Sequence, residues 1–381
     1  MTSATLDRDH VLPRPFTRLG GHAPDGYVSP NWYASVMGTG IVANAAAPLP
    51  PSVLDRLPGL LTAARGVWIL DSVWLMVLLA LTASHWVRHT EQARGHLHNP
   101  VMSHFYGAPA MGLMTVGAGA LLVGVPVVGL SAAVAIDLVL WTAGTLLGLW
   151  TAVVVPYQAM TRHEVKADSA FGGWLMPVVP PMVSAATGPL LLPHVPAGQP
   201  RLALQLACTM MFGLTIVISL VLITLLYSRL VHHKVGAAAA VPTLWIVLGP
   251  LGQSITAAHN LGQSAPGILP APYGTAFRAM GLLYGVPMWG FAMLWLAIAG
   301  AITVRTVRSG MPFSLTWWSF TFPVGTVVTG TSGLAVATGA DFLVVAAALL
   351  YVGLVGAWVT VAVRTARRTW SGALLRAPEA A

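Results

Sequence analysis

Ten stretches of mostly apolar residues follow one another along the chain, separated by short polar connectors. A membrane-spanning helix needs about 20 predominantly apolar residues. The first stretch is shorter than the others and contains Asn31 and Asn44. The pattern predicts an all-α integral membrane protein with ten transmembrane helices, at residues 31–48, 66–87, 104–127, 131–155, 172–193, 204–228, 241–261, 277–303, 313–338 and 342–363.

Glycine and proline interrupt the odd-numbered predicted helices more than the even-numbered ones. One marker in each odd helix recurs after 71, 71, 70 and 73 residues: Gly38, Pro109, Pro180, Pro250 and Pro323. This spacing predicts one helical hairpin of about 70 residues repeated five times. In lipid, broken helices are tolerated where they are buried in protein or line a wet cavity. We therefore expect an inner ring of kinked odd helices round a central pore and an outer ring of even helices facing lipid.

The predicted inner helices contain no Asp, Glu, Lys or Arg. A pore without acidic residues, entered from helix N-termini, favours anions over cations. For a single Gly or Ser, close packing of helices is the competing explanation. The expected pore-lining glycines are Gly38, Gly40 and Gly325, and the expected polar lining comes from Ser35, Thr39, Asn44, Thr115, Ser184, Thr187, Ser254, Thr326, Thr329 and Thr331.

Composition and charge agree with a membrane protein and set its orientation. Of the 381 residues, 56% are hydrophobic and 8% charged, whereas a soluble chain carries about 25% charged residues. If the N-terminus is cytoplasmic, 15 of the 19 basic residues lie on the cytoplasmic side, and the others are Arg56, Arg65, Arg201 and Arg278. This uneven distribution of basic residues indicates that the net positive charge comes from cytoplasmic loops rather than from a nucleic-acid-binding surface. It predicts a multi-pass protein of the cell (inner) membrane, with cytoplasmic tails at 1–29 and 366–381 flanking a transport domain at 30–365.

Two acidic residues lie within predicted helices. Intramembrane acids are candidates for proton transfer. Asp71 is a candidate for proton coupling, whereas Asp137 lies near the outer end of its helix and is expected to have a structural hydrogen-bonding role.

The histidines and the single cysteine point to no cofactor. His85 and His89, four residues apart, could supply two metal ligands, but only Glu91 accompanies them, so we expect an interfacial role and no metal. His259 could titrate in the outer mouth or cap a kinked helix. Cys208 is alone, which excludes an intrachain disulfide. No catalytic triad or phosphate-binding loop is recognisable, so we expect no enzymatic activity and no cofactor.

Five motifs resemble those of the tellurite-resistance/dicarboxylate transporter family. The resemblance extends over about residues 29–365 and involves one motif in each predicted hairpin. This family includes the bacterial tellurite-resistance protein, yeast malate and sulfite transporters, and the plant slow-type anion channel. The motifs are PNWYASVMGTG at 30–40, HNPV at 98–101, WLMPVVP at 174–180, GPLGQS at 249–254 and WWSFTFPVGT at 317–326.

The resemblance implies a ring of five hairpins, a pore lined by the odd helices, and a homotrimer with one pore per subunit. It also implies a phenylalanine that plugs the pore, and the matching position is Phe322, directly before Pro323. Phe320 is about 200° away round the helix, so the two rings cannot both face the pore.

Two transport mechanisms are consistent with these features. The first is a passive channel for small anions, such as chloride, nitrate or malate, gated by Phe322. The second is a proton-coupled carrier for dicarboxylates or sulfite, with Asp71 as the candidate proton carrier. A membrane enzyme is the third hypothesis. It would be supported if reconstituted protein turned over a lipid but moved no anion. Tellurite handling, suggested by the family name, is treated as incidental, and the short tails predict no phosphorylation control.

Overall fold

The computed structural model describes residues 28–372 and 374 of the chain. Most of the two predicted cytoplasmic tails, with Arg8, Arg14, Arg18 and Arg376, lies outside the described residues. The described part is helical, and its β-structure is limited to one isolated bridge between Pro266 and Leu269.

Ten helical segments, numbered α1 to α10, correspond in order to the ten predicted stretches. Among the described residues, eight helices are long and apolar enough to cross a membrane, and α1 and α5 are shorter. The segments are α1 (Tyr33–Ala46), α2 (Leu60–Arg88), α3 (Met102–Val128), α4 (Leu130–Thr161), α5 (Pro180–Thr187), α6 (Gln199–His233), α7 (Ala238–Ser264), α8 (Tyr273–Arg308), α9 (Leu315–Thr338) and α10 (Asp341–Trp370).

The structure differs from the sequence prediction in the fifth segment and in two connectors. The stretch predicted as one helix at 172–193 is divided into a 3₁₀ turn at Gly172–Leu175, helix α5, and further 3₁₀ turns. Its closely spaced prolines remove backbone donors, which prevents a continuous α-helix. The connectors predicted as loops contain short helices at Pro51–Leu54 and Thr90–His98.

Four prolines of the repeat lie where 3₁₀ geometry or a turn gives way to an α-helix. The α-helical parts of α3, α7 and α9 begin at Gly107, Leu248 and Phe322, directly or one residue after a 3₁₀ stretch, and α5 begins at its own proline. The first N–H groups of an α-helix have no intrahelical partner, so proline costs little in the first turn. The predicted kinks are therefore helix starts rather than breaks inside an α-helix, and they are found at Pro109, Pro180, Pro250 and Pro323.

The segments form two layers that differ in burial. In the most apolar window of α3, α7 and α9, 67% to 83% of the residues are buried, and all 14 residues of α1 are buried. In the corresponding window of the even-numbered helices only 22% to 33% are buried. The even helices expose many large apolar side chains, such as Leu70, Val153 and Leu349. Such a surface suits hydrocarbon rather than water.

The contacts of the odd-numbered segments form a closed cycle. Helix α1 packs against α3, α3 against α5, α5 against α7, α7 against α9, and α9 against α1. Glycine permits two of these approaches. A Cβ atom on Gly252 of α7 would lie 2.5 Å from the backbone of Thr326 on α9, and one on Gly325 of α9 would collide with Ile41 of α1.

Each even-numbered helix donates a side-chain hydrogen bond to the next odd-numbered segment. One donor side chain lies on each of the five even helices, and the fifth bond joins α10 to α1. The five bonds run from Trp68 Nε1 to the Val116 carbonyl (3.0 Å), from Trp141 Nε1 to the Ser184 carbonyl (3.1 Å), from Gln205 Nε2 to the Leu261 carbonyl (3.1 Å), from Trp289 Nε1 to Thr331 Oγ1 (2.9 Å) and from Tyr351 Oη to the Val42 carbonyl (3.2 Å).

Candidate functional site

A cavity of about 290 Å³ lies between the five odd-numbered segments. Every odd segment contributes to its wall, and no even helix does. The lining residues are Ile41, Asn44 and Pro48; Thr115, Ala118 and Leu122; Val183, Ala186, Thr187 and Leu190; Gln253, Thr256, His259 and Asn260; and Phe322, Thr329, Gly333 and Val336.

The cavity begins at the level of the helix starts and extends toward the C-terminal ends of the segments. The first lining residue of each segment is Ile41, Thr115, Val183, Gln253 or Phe322. Three of them lie three residues after the Gly or Pro marker of their segment, Thr115 lies six residues after Pro109, and Phe322 lies directly before Pro323. On α9 the lining runs from Phe322 to Val336, which is about 21 Å at 1.5 Å per residue. The markers therefore lie toward the end of the cavity that is formed by the N-terminal parts of the α-helices, here called the floor.

Phe322 is the large aromatic side chain at the floor. It is the first residue of the α-helical part of α9 and is only 2% exposed. Phe320 lies on a different side of α9, where its ring packs edge-on against Trp245 and Trp317 at centroid distances of 5.2 and 5.7 Å. Of these two phenylalanines, Phe322 is the one that faces the cavity.

The cavity wall is mostly apolar but includes several uncharged polar side chains, and its described lining contains no Asp, Glu, Lys or Arg. Several of its polar side chains tie neighbouring segments together. Asn44 of α1 donates to the Thr115 carbonyl of α3 at 2.9 Å, and Asn260 of α7 donates to the Ala186 carbonyl of α5 at 2.8 Å. The hydroxyls of Thr256 on α7 and Thr329 on α9 are 2.7 Å apart. The wall thus offers hydrogen-bonding groups without a formal charge.

Four of the hydroxyls and amides predicted to line a pore do so: Asn44, Thr115, Thr187 and Thr329. The other six are engaged in helix packing. Three accept a bond from an aromatic side chain of an even helix: Ser35 from Trp74 (2.7 Å), Thr39 from Trp358 (3.1 Å) and Ser254 from Tyr284 (2.7 Å). Thr331 accepts a bond from Trp289, Ser184 accepts one from Thr145, and Thr326 donates to backbone carbonyls.

The predicted pore glycines also lie in helix contacts. A Cβ atom would collide with Thr321 and Trp318 at Gly38, and with the Asp71 carboxyl at Gly40. Gly325 lies against Ile41. These glycines bring the segments close enough to enclose the cavity, and the cavity wall itself is made by other residues.

Three lining residues that sequence reasoning missed, Gln253, Thr256 and Asn260, lie on α7 beside His259, a candidate for the outer mouth in the sequence analysis. Gln253, Thr256, His259 and Asn260 form one face of this helix. Counted from Gln253, the other three follow after three, six and seven residues, which is the spacing of one helical face. This polar stripe is the sequence feature from which the cavity lining on α7 could have been predicted. His259 also lines a second cavity of about 340 Å³, together with Arg278, which belongs to the predicted outer side.

Both intramembrane acids are fully buried without hydrogen-bond partners among the described residues. Asp71 and Asp137 each have 0% exposure, and none of their carboxyl oxygens is bonded. The structural hydrogen bond expected for Asp137 is therefore absent from the described part of the chain. Asp71 points to Gly40 of α1, next to Thr115 of the cavity wall. Asp137 lies against Gly117 of α3.

The histidines near the C-terminal end of α2 form a stacked group. The rings of His85 and His96 stack at 5.6 Å, and His89 lies 5.7 Å from His85. Burial, and the nearby His85, lower the pKa of His96. No group of three or more His, Cys, Asp or Glu side chains in the described residues could hold a metal ion.

Comparison with known proteins identifies the family. Residues 27–366 match the SLAC1 family, described as voltage-dependent anion channel. The sulfite efflux pump SSU1 of Arthroderma benhamiae is 28% identical over 362 residues, which is 91% of this chain and 92% of that protein. The SSU1 protein of Arthroderma otae is 30% identical over 309 residues, 80% of each chain. An uncharacterized transporter of Methanocaldococcus jannaschii is 28% identical over 304 residues, 78% of this chain and 81% of that protein.

The resemblance found in the sequence motifs is thus confirmed over almost the whole chain, and the family and the named relatives are transporters. The apolar helices make the chain a multi-pass membrane protein. It belongs to the SLAC1 family of voltage-dependent anion channels, and it transports anions.

Proposed function

We propose that anions cross the membrane passively through the cavity between the odd-numbered segments, and that Phe322 gates this pathway. The observation that carries the proposal is a cavity walled by all five segments, with no Asp, Glu, Lys or Arg among its described lining residues, and bounded at its floor by a buried phenylalanine. Uncharged hydrogen-bonding groups stabilise an anion without trapping it, which conduction requires. An aromatic ring in a narrow passage blocks by its volume and by excluding water.

The proposed architecture is five helical hairpins with all ten segments in the membrane. Three observations support it: the odd segments contact one another in a closed cycle, the even helices are the less buried layer, and each even helix bonds to the next odd segment. Helix α1 and the divided fifth segment are short, but non-helical backbone is tolerated at membrane depth when it is buried in protein. Both segments are buried.

A second mechanism, proton-coupled transport of sulfite or a dicarboxylate, is favoured by a different observation. Relatives named sulfite efflux pump cover most of the chain, and Asp71 has no partner for its carboxyl group among the described residues. An unpartnered carboxyl inside the bilayer is a suitable site for a transported proton. It lies against Gly40, next to Thr115 of the cavity wall, so a proton there would be close to the anion.

Replacing Phe322 by alanine should open the passage. We expect anion efflux from proteoliposomes to rise by about tenfold or more, since the ring that fills the floor is removed. Chloride and sulfite release would be followed with ion-selective probes. The matched control is Phe342→Ala on α10, because Phe342 is 64% exposed on the outer layer. Equal fluxes in the Phe322→Ala and Phe342→Ala proteins would remove Phe322 from the gate.

A pH gradient distinguishes the two mechanisms. For a passive pathway, proteoliposomes with an imposed pH gradient accumulate no transported form of sulfite or malate against the electrochemical gradient of that same form, and Asp71→Asn leaves the flux through Phe322→Ala protein within about twofold of its parent. Accumulation against a gradient would contradict the passive mechanism. If Asp71→Asn then abolished accumulation while Asp137→Asn did not, the coupling proton would be assigned to Asp71.

Both termini are proposed to be cytoplasmic, in the cell membrane, on the basis of the basic residues. In a Cys208→Ala background, a membrane-impermeant maleimide should label Asp55→Cys in intact cells and Lys166→Cys only after permeabilisation. Both positions are exposed and lie in connectors. The opposite pattern would invert the topology. The homotrimer is proposed from the family resemblance alone, and a native mass other than three chains in nanodiscs would exclude it.

A further inference from the structure

Gln253 differs from the other amide side chains of the cavity wall. It is 4% exposed and lines the cavity, yet its amide group has no hydrogen-bond partner in the described part of the chain. Asn44 and Asn260, by contrast, each donate to a backbone carbonyl of a neighbouring segment. Its amide atoms reach the cavity surface, where water or an anion can bond to them.

Gln253 lies at the floor of the cavity, near Phe322. It is the first lining residue of α7, as Phe322 is of α9. The preceding residue, Gly252, approaches the backbone of Thr326, one turn beyond Phe322. This contact fixes the register of α7 against α9 and sets the Gln253 side chain close to the level of the phenylalanine. An anion waiting above Phe322 would therefore be within reach of the amide.

The other polar groups of this face are less available. The hydroxyl of Thr256, the next residue on the stripe, already lies 2.7 Å from the Thr329 hydroxyl and 3.1 Å from the Gly252 carbonyl. His259 lies six residues further along α7, about 9 Å away at 1.5 Å per residue, and also lines the second cavity. Among the described polar residues on this face of α7, Gln253 thus lies at the floor with both its N–H groups and its carbonyl open to a ligand.

A primary amide offers two N–H donors and one carbonyl acceptor. A halide or nitrate can use only the donors, because it has no proton to give. An oxyanion that carries a proton, of the hydrogen sulfite or hydrogen dicarboxylate class, can accept from the N–H group and donate its O–H group to the carbonyl. With such an anion, both halves of the buried amide are satisfied.

We propose that Gln253 is the anion-binding side chain at the floor of the cavity and that it selects protonated oxyanions over halides. The proposal rests on the proposed function, since it concerns the same cavity. It adds a specificity-determining residue and a substrate class. In this arrangement the anion brings its own proton, so selection for the protonated form requires no acidic side chain in the wall.

The test uses Phe322→Ala protein in proteoliposomes, in which flux does not depend on gating. The half-saturating concentration is measured for chloride and for sulfite, at a pH where hydrogen sulfite predominates. Gln253→Leu, of similar size but without donors or acceptor, should raise the value for hydrogen sulfite about tenfold, since a buried hydrogen bond is lost. The value for chloride should rise less, because chloride loses only the N–H contact.

Three comparisons complete the test. Gln253→Asn, which keeps both groups, should retain the preference for hydrogen sulfite, and Gln92→Leu, an exposed position outside the cavity lining, should change neither value. At a pH where the sulfite dianion predominates, Gln253→Leu should weaken sulfite and chloride about equally. Unchanged values in Gln253→Leu would remove Gln253 from the site, and equal losses for both anions at the lower pH would overturn the selection for protonated anions. A folded Phe322→Ala protein that passes neither anion would instead refute the proposed function.

Discussion

The structure depends on hydrogen bonds that hold an outer layer of long helices against an inner layer that is not made of continuous α-helices. In hydrocarbon an unpaired side-chain donor costs roughly several kcal/mol, because no water can replace its partner. Four carbonyls of the inner segments accept bonds from Trp68, Trp141, Gln205 and Tyr351 of the outer helices, and Trp289 bonds to an inner threonine. Each bond joins an outer helix to the next inner segment. Because the carbonyls of Val116, Ser184 and Leu261 also accept backbone N–H groups, the side-chain bonds are additional ties between the two layers.

The two layers have different roles, and this allows the inner segments to form a cavity. Because the outer helices provide the apolar surface and the indole donors, the inner segments can consist of small residues, prolines and a few uncharged polar side chains. Close approaches at Gly252 and Gly325 seal α7, α9 and α1 against one another. What remains between the five segments is a cavity bounded at its floor by Phe322, and its described lining has hydrogen-bonding groups but no Asp, Glu, Lys or Arg. This is the chemistry that a weakly binding anion pathway requires.

Hydropathy predicted the order of the segments, and proline spacing located the floor of the cavity, because both depend on local sequence. The direction of individual side chains was harder to predict. Thr39 and Ser254 look like pore residues, but they accept bonds from Trp358 and Tyr284, partners distant in sequence. In segments made almost wholly of small and apolar residues, no amphipathic pattern separates the cavity face from the packing face. Helix α7 is the exception, since it has a polar stripe that contains Gln253. The sequence alone does not show that this stripe faces a cavity.

The central claim is that anions pass between the five inner segments, and chemical blockage of the cavity tests it most directly. Thr187 lines the cavity from α5 and is half-buried. In a Cys208→Ala, Phe322→Ala background, a bulky methanethiosulfonate reagent attached at Thr187→Cys should reduce anion flux by about tenfold, while the same reagent at Asp55→Cys should leave flux unchanged. Undiminished flux after complete modification at Thr187→Cys, verified by intact mass, would place the anion pathway elsewhere in the molecule.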